Sequence, residues 1–425
     1  MRILHAARNI ANQGGYVVRA LRRMGHEAEL WEYGENPFGF PADRTIASPE
    51  RDARVLWQTF LEAIERFDIV HFHFGRSLFP NQWGGMPPFW DLPVYRILGK
   101  KVFFTFHGSD CRIRRVHLEV NPWSYYRFAD LPADDDRTAK TIEVIRTYAD
   151  RMFVVSVDYL HFVPEATVLP RVIDLDEWPE RPPDQRVDPV VLHMPSRRET
   201  KGTSFILDGL RRLEQEGLRF EFRLLEGIPH DDAKRQIAEA DVVIDNVITG
   251  DYELVSIETM ASNRVAVANL QPMAAAQFPD VPVFSVDPGT FAERMRALIS
   301  DVELRRGLAA GGRAHVARHH DAPIIASELL RHYAEPSRPV PIRAIPDWLS
   351  LESARTIEGL EGRVAALEQD LARARRREES LQGRPGAADL RRSAVGDWKD
   401  RLPTPIRLFL RHQRARLSKR LAALR

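Results

Sequence analysis

Apolar residues in this chain fall into short unbroken runs separated by amphipathic stretches. RILHAA at 2–7, DIVHFHFG at 68–75, KVFFTFHGSD at 101–110 and RMFVVSVD at 151–158 are apolar at successive positions. That is the mark of strands buried on both faces of a parallel sheet. AELWEY at 28–33 and TVLP at 167–170 read as further strands. Helical periodicity fills 16–24, 54–66 and 137–150, and the Pro-, Gly- and Trp-bearing stretch 76–91 predicts a long loop. The alternation resumes at 190 with VVLHMP, a helix at 203–216, FEFRLLEG at 220–227 and a helix at 231–240. DVVIDNVI at 241–248 then predicts a buried strand, broken by Gly250 and Asp251. Leu254, Ile257 and Ala261 share the face of a helix beginning near Glu253, with Glu258 inside it, and VAVANL at 265–270 is the next strand. Helices at 290–319 and 324–333 follow.

Two such series predict an α/β protein of two doubly wound, Rossmann-like domains facing a cleft. The proline-rich, charged stretch at 179–189 separates them, giving domains at 1–180 and 181–335. A helical C-terminal extension follows. Residues 336–384 hold a proline-rich exit and a heptad pattern through Ile357, Leu360, Val364, Leu367, Leu371 and Ala374. That pattern predicts either a short coiled coil, with a homodimer through 357–381, or a solvated single helix. Residues 385–425 form a basic tail, in which Ile406, Leu410, Leu417, Leu421 and Leu424 line one helical face.

Composition narrows this picture. A chain of 425 residues suits two or three domains of about 100–200 residues each. The single cysteine, Cys111, excludes an internal disulfide and a cysteine-built zinc site, and suits a reducing compartment. The first residues lack a signal-peptide pattern, and no run reaches the ~18 apolar residues of a membrane span. The expected location is the cytoplasm, with peripheral contact at the inner face of a membrane as an extension of that reading. The net charge of +1 conceals an acidic body of −7 and a tail of +8, with eleven Lys/Arg against three Asp/Glu from 385 onward. A basic amphipathic helix fits an anionic membrane surface; docking on the acidic body or on another protein is the rival. No aromatic-interleaved module supports a nucleic-acid partner.

The candidate chemistry gathers at strand ends, where ligands bind in such sheets. Gly14 and Gly15 follow the first strand, but their spacing does not match the dinucleotide fingerprint, so a nicotinamide or flavin site is not expected. They allow a close approach of backbone to a ligand. His71, His73, His107 and Asp110 fall at or near strand ends. His71 and His73 share a strand face, which favours neutral, hydrogen-bonded histidines over a metal site. His107 stands where a strand yields to a polar turn, open to a functional or a loop-anchoring role. Arg198 and Lys201, three apart after a strand, can face one anion across a short turn, and Arg197 competes with Arg198. The turn before the Glu258 helix offers backbone N–H groups and the positive end of a helix dipole.

These motifs, in this order, resemble the GT-B glycosyltransferases, specifically the retaining glycosyltransferase family four that uses nucleotide-diphosphate sugars. Over about 1–333 the resemblance rests on Gly14-Gly15, on HGSD at 107–110, on LPRVIDLDEW before the linker, on Arg198 (or Arg197) with Lys201-Gly202, and on YELVSIETMA at 252–261. The resemblance implies a hexosyltransferase that moves a sugar from a nucleotide-diphosphate donor to an acceptor hydroxyl of a glycan or lipid-linked acceptor, with retention and without a metal or other cofactor. It implies a catalytic set of His107, Arg198 and Lys201. Gly14, Gly15, Arg197, Asp245, Gly250, Asp251, Tyr252, Glu253 and Glu258 would line the donor, with Glu258 on the ribose; Asp110 and His73 would stand on the acceptor side. One departure stands out. The family places a second glutamate eight positions before Glu258, where this chain has Gly250, and a small residue where it has Glu253. Either Asp251 or Asp245 replaces that carboxylate, or the donor needs none, or activity is reduced or lost. The rival readings are a catalytically degenerate scaffold and a non-hydrolysing sugar-nucleotide epimerase.

Overall fold

The computed structural model describes residues 1–36, 38–46, 53–79, 81, 88–340 and the positions 369 and 373. The expected coiled coil at 357–381 and the basic tail at 385–425 lie outside the described residues, apart from Gln369 and Arg373. Among the described residues no helix is long and apolar enough to cross a membrane.

The strands are β1 (Arg2–Ala6), β2 (Glu27–Tyr33), β3 (Arg44–Ile46), β4 (Ile69–His73), β5 (Lys101–Phe106), β6 (Arg151–Val154), β7 (Thr167–Val168), β8 (Val190–His193), β9 (Glu221–Leu224), β10 (Val242–Asn246), β11 (Val265–Ala268) and β12 (Val283–Ser285). They form two sheets, ordered β3-β2-β1-β4-β5-β6-β7 and β12-β11-β10-β8-β9. The pairings of β1, β4, β5 and β6 in the first, and those of β8, β10 and β11 in the second, are parallel. Both are doubly wound. Strand order reverses between β1 and β4 in one sheet and between β8 and β10 in the other, and such switch points open a crevice at the carboxyl ends of the strands.

The helix Gln13–Arg23 buries Tyr16, Val17 and Leu21 in one core with Ile325, Leu329 and Tyr333 of the helix Ala322–Ala334. The helix Ala322–Ala334 therefore returns to the first sheet, where Lys101 Nζ donates to the Tyr333 carbonyl at 2.6 Å. One compact unit, Met1–Thr45, Phe67–Ser77 and Leu92–Val340, holds nearly all of these elements. A second unit includes the helix Ala53–Arg66 and the segment Leu78–Asp91; inside it Trp90 stacks on Trp57 at 5.5 Å and meets Phe60 and Phe79.

The run at 101–110 is a strand as far as Phe106 and then the polar turn expected at His107, which the Asp110 carboxylate closes by accepting the backbone N–H of His107 at 2.9 Å and of Gly108 at 2.7 Å. The short helices Asp91–Ile97, Arg114–Val120 and Pro272–Gln277 and the strand β12 had no sequence forecast; each is too brief to show a period.

Candidate functional site

The C-terminal ends of the two sheets meet through side chains. Ser156, just after β6, donates its hydroxyl to Asp251, just after β10. Asn121 Nδ2 donates to the carbonyls of Ile248 at 2.9 Å and Thr249 at 3.3 Å.

Lys201 sits at this junction. It closes the single helical turn Arg198–Lys201 after β8 and is only 8% exposed. Its Nζ lies 2.7 Å from Asp245 Oδ1 and also pairs with Glu253. Burial opposes the ammonium charge, yet the charges of Asp245 and Glu253 hold its pKa above the usual lysine value. Asp245, near the end of β10, accepts at Oδ2 from the backbone N–H of Glu253 (2.9 Å) and Ser256 (3.2 Å) and from the Ser256 hydroxyl (2.8 Å). The helix Leu254–Ala261 thus starts on a carboxylate of the chain itself. N–H groups that the sequence reading left free for a phosphate are in part already occupied.

Arg198 and Lys201 do not converge. Glu226, just past β9, takes the Arg198 guanidinium at 2.9 Å, in an exposed pair that raises the arginine's pKa by hydrogen bonding. Asp245 holds Lys201 inward instead, and Arg197 is exposed. The second cation near Lys201 is Arg171, which precedes the linker. Its Nη2 lies 3.7 Å from Glu253 Oε1 and donates to Tyr159 Oη at 3.1 Å, while its Nη1 donates to the Tyr252 carbonyl at 3.3 Å. Glu253 is thereby shared by two cations. Burial resists its ionisation, but Lys201 and then Arg171 bring its pKa below the usual carboxylate range.

Asp251 is buried, and its Oδ1 accepts the Tyr252 N–H at 2.8 Å. Burial and the neighbouring Asp158 push its carboxyl up to about 7. Asp158 in turn lies 3.6 Å from Arg112. Tyr252 turns its ring away, its hydroxyl 2.8 Å from His320 Nε2. Glu258 is buried, with His230 Nε2 at 2.8 Å, so the group expected at the ribose has a protein partner here. Gly250 has φ +102, and a Cβ there would stand 3.1 Å from Gln271 Cδ. The backbone disfavours a glutamate at this position, and the Gln271 amide fills the adjoining space, its buried Nε2 without a hydrogen-bond partner among the described residues.

On the first sheet, Asp110 holds the turn carrying His107, and burial raises its carboxyl to about 6. His107 Nε2 lies 3.1 Å from His73 Nδ1. His73 is 4% exposed, inside the sheet end rather than on a surface open to an acceptor. The Tyr159 hydroxyl donates to the His107 carbonyl at 3.3 Å, which connects the turn to Arg171 and Glu253. Gly14 and Gly15 are buried in the first helix; a Cβ on Gly15 would stand 2.2 Å from Asn12 Oδ1, and one on Gly14 3.0 Å from Leu30 Cδ1. Their smallness serves packing at the β1 end. Among the described residues no group of three or more His, Cys, Asp or Glu is arranged to hold a metal ion.

Of the residues singled out in the sequence, the structure brings Lys201, Asp245 and Glu253 into direct contact, and it adds Arg171, Ser156, Glu226, His230 and Gln271 as neighbours that the sequence did not single out. Arg171 had a signal, since it stands in the LPRVIDLDEW segment; the others carried none.

No family model matches the sequence, and no curated protein matches it. Solved structures do. HepE from Anabaena, determined in complex with UDP, is 14% identical with a TM-score of 0.51, over 79% of this chain and 100% of that one. Sucrose-phosphate synthase from Thermosynechococcus elongatus is 14% identical with a TM-score of 0.50, over 78% of this chain and 98% of that one. At such identity the likeness is one of fold. Two doubly wound parallel sheets in an α/β arrangement that matches these structures give the chain the GT-B fold.

Proposed function

We propose that this chain is a glycosyltransferase, similar to the retaining family four, that moves a hexosyl group from a nucleotide-diphosphate sugar to an acceptor hydroxyl. The observation that carries this reading is Lys201: a buried cation held at the β8/β10 switch point, with Arg171 on the other side of Glu253. Bond cleavage in a sugar nucleotide builds negative charge on the departing diphosphate, and fixed cations at strand ends suit that charge. UDP in the HepE structure fits such a site. Arg198, exposed beside Glu226, would swing onto the diphosphate as a second clamp. Glu258 would bind the ribose beside His230, and His107 would hold a hydroxyl of the transferred sugar. The reaction needs no metal or resident cofactor in this reading. Acceptors are glycans or lipid-linked sugars of envelope polysaccharide or glycolipid synthesis, and the basic tail would bring the enzyme to an anionic membrane face from the cytoplasm.

The test is product analysis. Full-length protein, chelator and a matching donor–acceptor pair should yield a product with the donor's anomeric configuration, read by NMR coupling. An inverted product, or transfer abolished by chelator, would overturn retention or metal independence. A degenerate scaffold is the second reading, favoured by Gly250 in place of a carboxylate and by site cations already neutralised by Asp245 and Glu253. Absence of donor binding would favour it.

A further inference from the structure

Behind His107 runs a line of buried side chains whose hydrogen bonds form one continuous relay. His107 Nε2 lies 3.1 Å from His73 Nδ1, and His73 Nε2 lies 2.9 Å from His5 Nδ1. His5 Nε2 is 3.3 Å from the Tyr333 hydroxyl, which is 2.5 Å from His71 Nδ1. His71 Nε2 ends the line at the Thr105 hydroxyl, 2.7 Å away. His5, His71, His73, Thr105 and Tyr333 are each at most 4% exposed. The three inner rings stack at 4.8–5.1 Å between centroids, as the parallel register of β1 and β4 dictates. Burial first, and then the neighbouring rings, favour neutral imidazoles at His5 and His71; burial alone does so at His73.

We infer that this relay fixes the proton of His107 on Nδ1, and that Tyr333 and Thr105 are positioning residues for it. A neutral imidazole has one N–H and one lone pair, so a line of them runs in one direction or the other as a whole. The Thr105 hydroxyl chooses the direction. It has one hydrogen, and among the described residues His71 Nε2 is its only hydrogen-bond partner. In the reverse direction that hydrogen would be buried without an acceptor, which is costly. With Thr105 donating, His71 Nδ1–H donates to Tyr333, Tyr333 to His5 Nε2, His5 Nδ1–H to His73 Nε2, and His73 Nδ1–H to His107 Nε2. His107 is left with its proton on Nδ1 and no lone pair free of the relay. It offers a hydrogen-bond donor to a ligand oxygen and cannot act as a base without reversing the line. Tyr333 lies on the helix Ala322–Ala334, so that helix helps to set the protonation pattern of the first sheet's strand end.

The role given to His107 at a sugar hydroxyl rests on the proposed function; the tautomer does not. The experiment is imidazole nitrogen NMR on full-length protein labelled with ¹⁵N in histidine, in wild type, Tyr333→Phe, Thr105→Val and Thr105→Ser. Wild type and Thr105→Ser should show His107 with a protonated-type Nδ1 and a pyridine-type Nε2. Tyr333→Phe and Thr105→Val should show mixed tautomers, and where transfer is measurable kcat should fall about five- to twentyfold with donor KM within a factor of three. A wild-type His107 protonated on Nε2, or an unchanged tautomer in both Tyr333→Phe and folded Thr105→Val, would overturn the inference. If wild type transfers no sugar, the function fails while the nitrogen signals still decide the relay.

Discussion

Lys201 and Glu253 form an ion pair at the mouth of the β8/β10 switch point, and Glu253 extends its other oxygen toward Arg171. A carboxylate thus lies between two cations, where an incoming diphosphate would find its charge partners. The protein's own carboxylate holds the place proposed for the diphosphate.

Glu253→Gln should therefore tighten nucleoside diphosphate binding roughly tenfold, equivalent to about 1.4 kcal/mol. Titration calorimetry of both proteins with the cognate diphosphate checks this. Unchanged or weaker binding would mean that Glu253 does not compete with the ligand.

Arg198 tests the site with little risk to the fold. Its guanidinium is exposed beside Glu226, so Arg198→Ala should leave the melting temperature almost unmoved while turnover drops about a hundredfold. Lys201→Ala is a poorer probe, because Lys201 is buried. Removing a buried cation from Asp245 and Glu253 should cost about 3–5 kcal/mol of stability.

Gly250 should resist repair. Its φ of +102 and the nearby Gln271 side chain make Gly250→Ala destabilising by about 1–2 kcal/mol in urea denaturation. Gly250→Glu should be worse still, and should not raise turnover. A stable, more active Gly250→Glu would show that the missing carboxylate matters and that the backbone tolerates it.

Two opposed titrations shape stability against pH. Burial lowers the pKa of His5, His71 and His107, and brings His73 to about 3, His193 to about 4 and His320 to about 3. Such groups support the fold fully above their unfolded pKa of about 6.5 and lose that support as pH falls through the window toward the folded values. Asp251 behaves oppositely. Its folded value of about 7 is raised, so its contribution is full below about pH 4 and is lost as pH rises toward 7. Asp110, raised to about 6, works in the same sense as Asp251, but the depressed histidines outnumber the two, and the melting temperature should fall between pH 7 and 5. Asp251→Asn removes its share of the opposing titration, so it should gain stability relative to wild type at pH 8 compared with pH 5, by on the order of 2 kcal/mol. A pH-independent difference would contradict the buried-acid assignment.

The sheets were legible because parallel strands buried on both faces write themselves as apolar runs; β10 appears in the sequence almost as it stands in the fold. Lys201 was legible by its place three residues after Arg198 and just past a strand. What it touches was not, because Asp245 is 44 residues away and Arg198's partner Glu226 is 28 away. Sequence spacing says which residues reach a strand end; packing decides which way each side chain turns there. The histidines show the same limit. His71 and His73 were correctly placed on one strand face, but the relay to His107 needs His5 from β1 and Tyr333 from 262 residues beyond His71. No local pattern carries that.

Lys201 is proposed to hold the diphosphate of a nucleotide-diphosphate sugar. Calorimetric titration of the full-length protein with UDP-, GDP-, ADP- and TDP-sugars tests it most directly. Saturable one-to-one binding of one donor class is expected, weakened at least tenfold in Arg198→Ala. No heat and no thermal shift with any donor would contradict it.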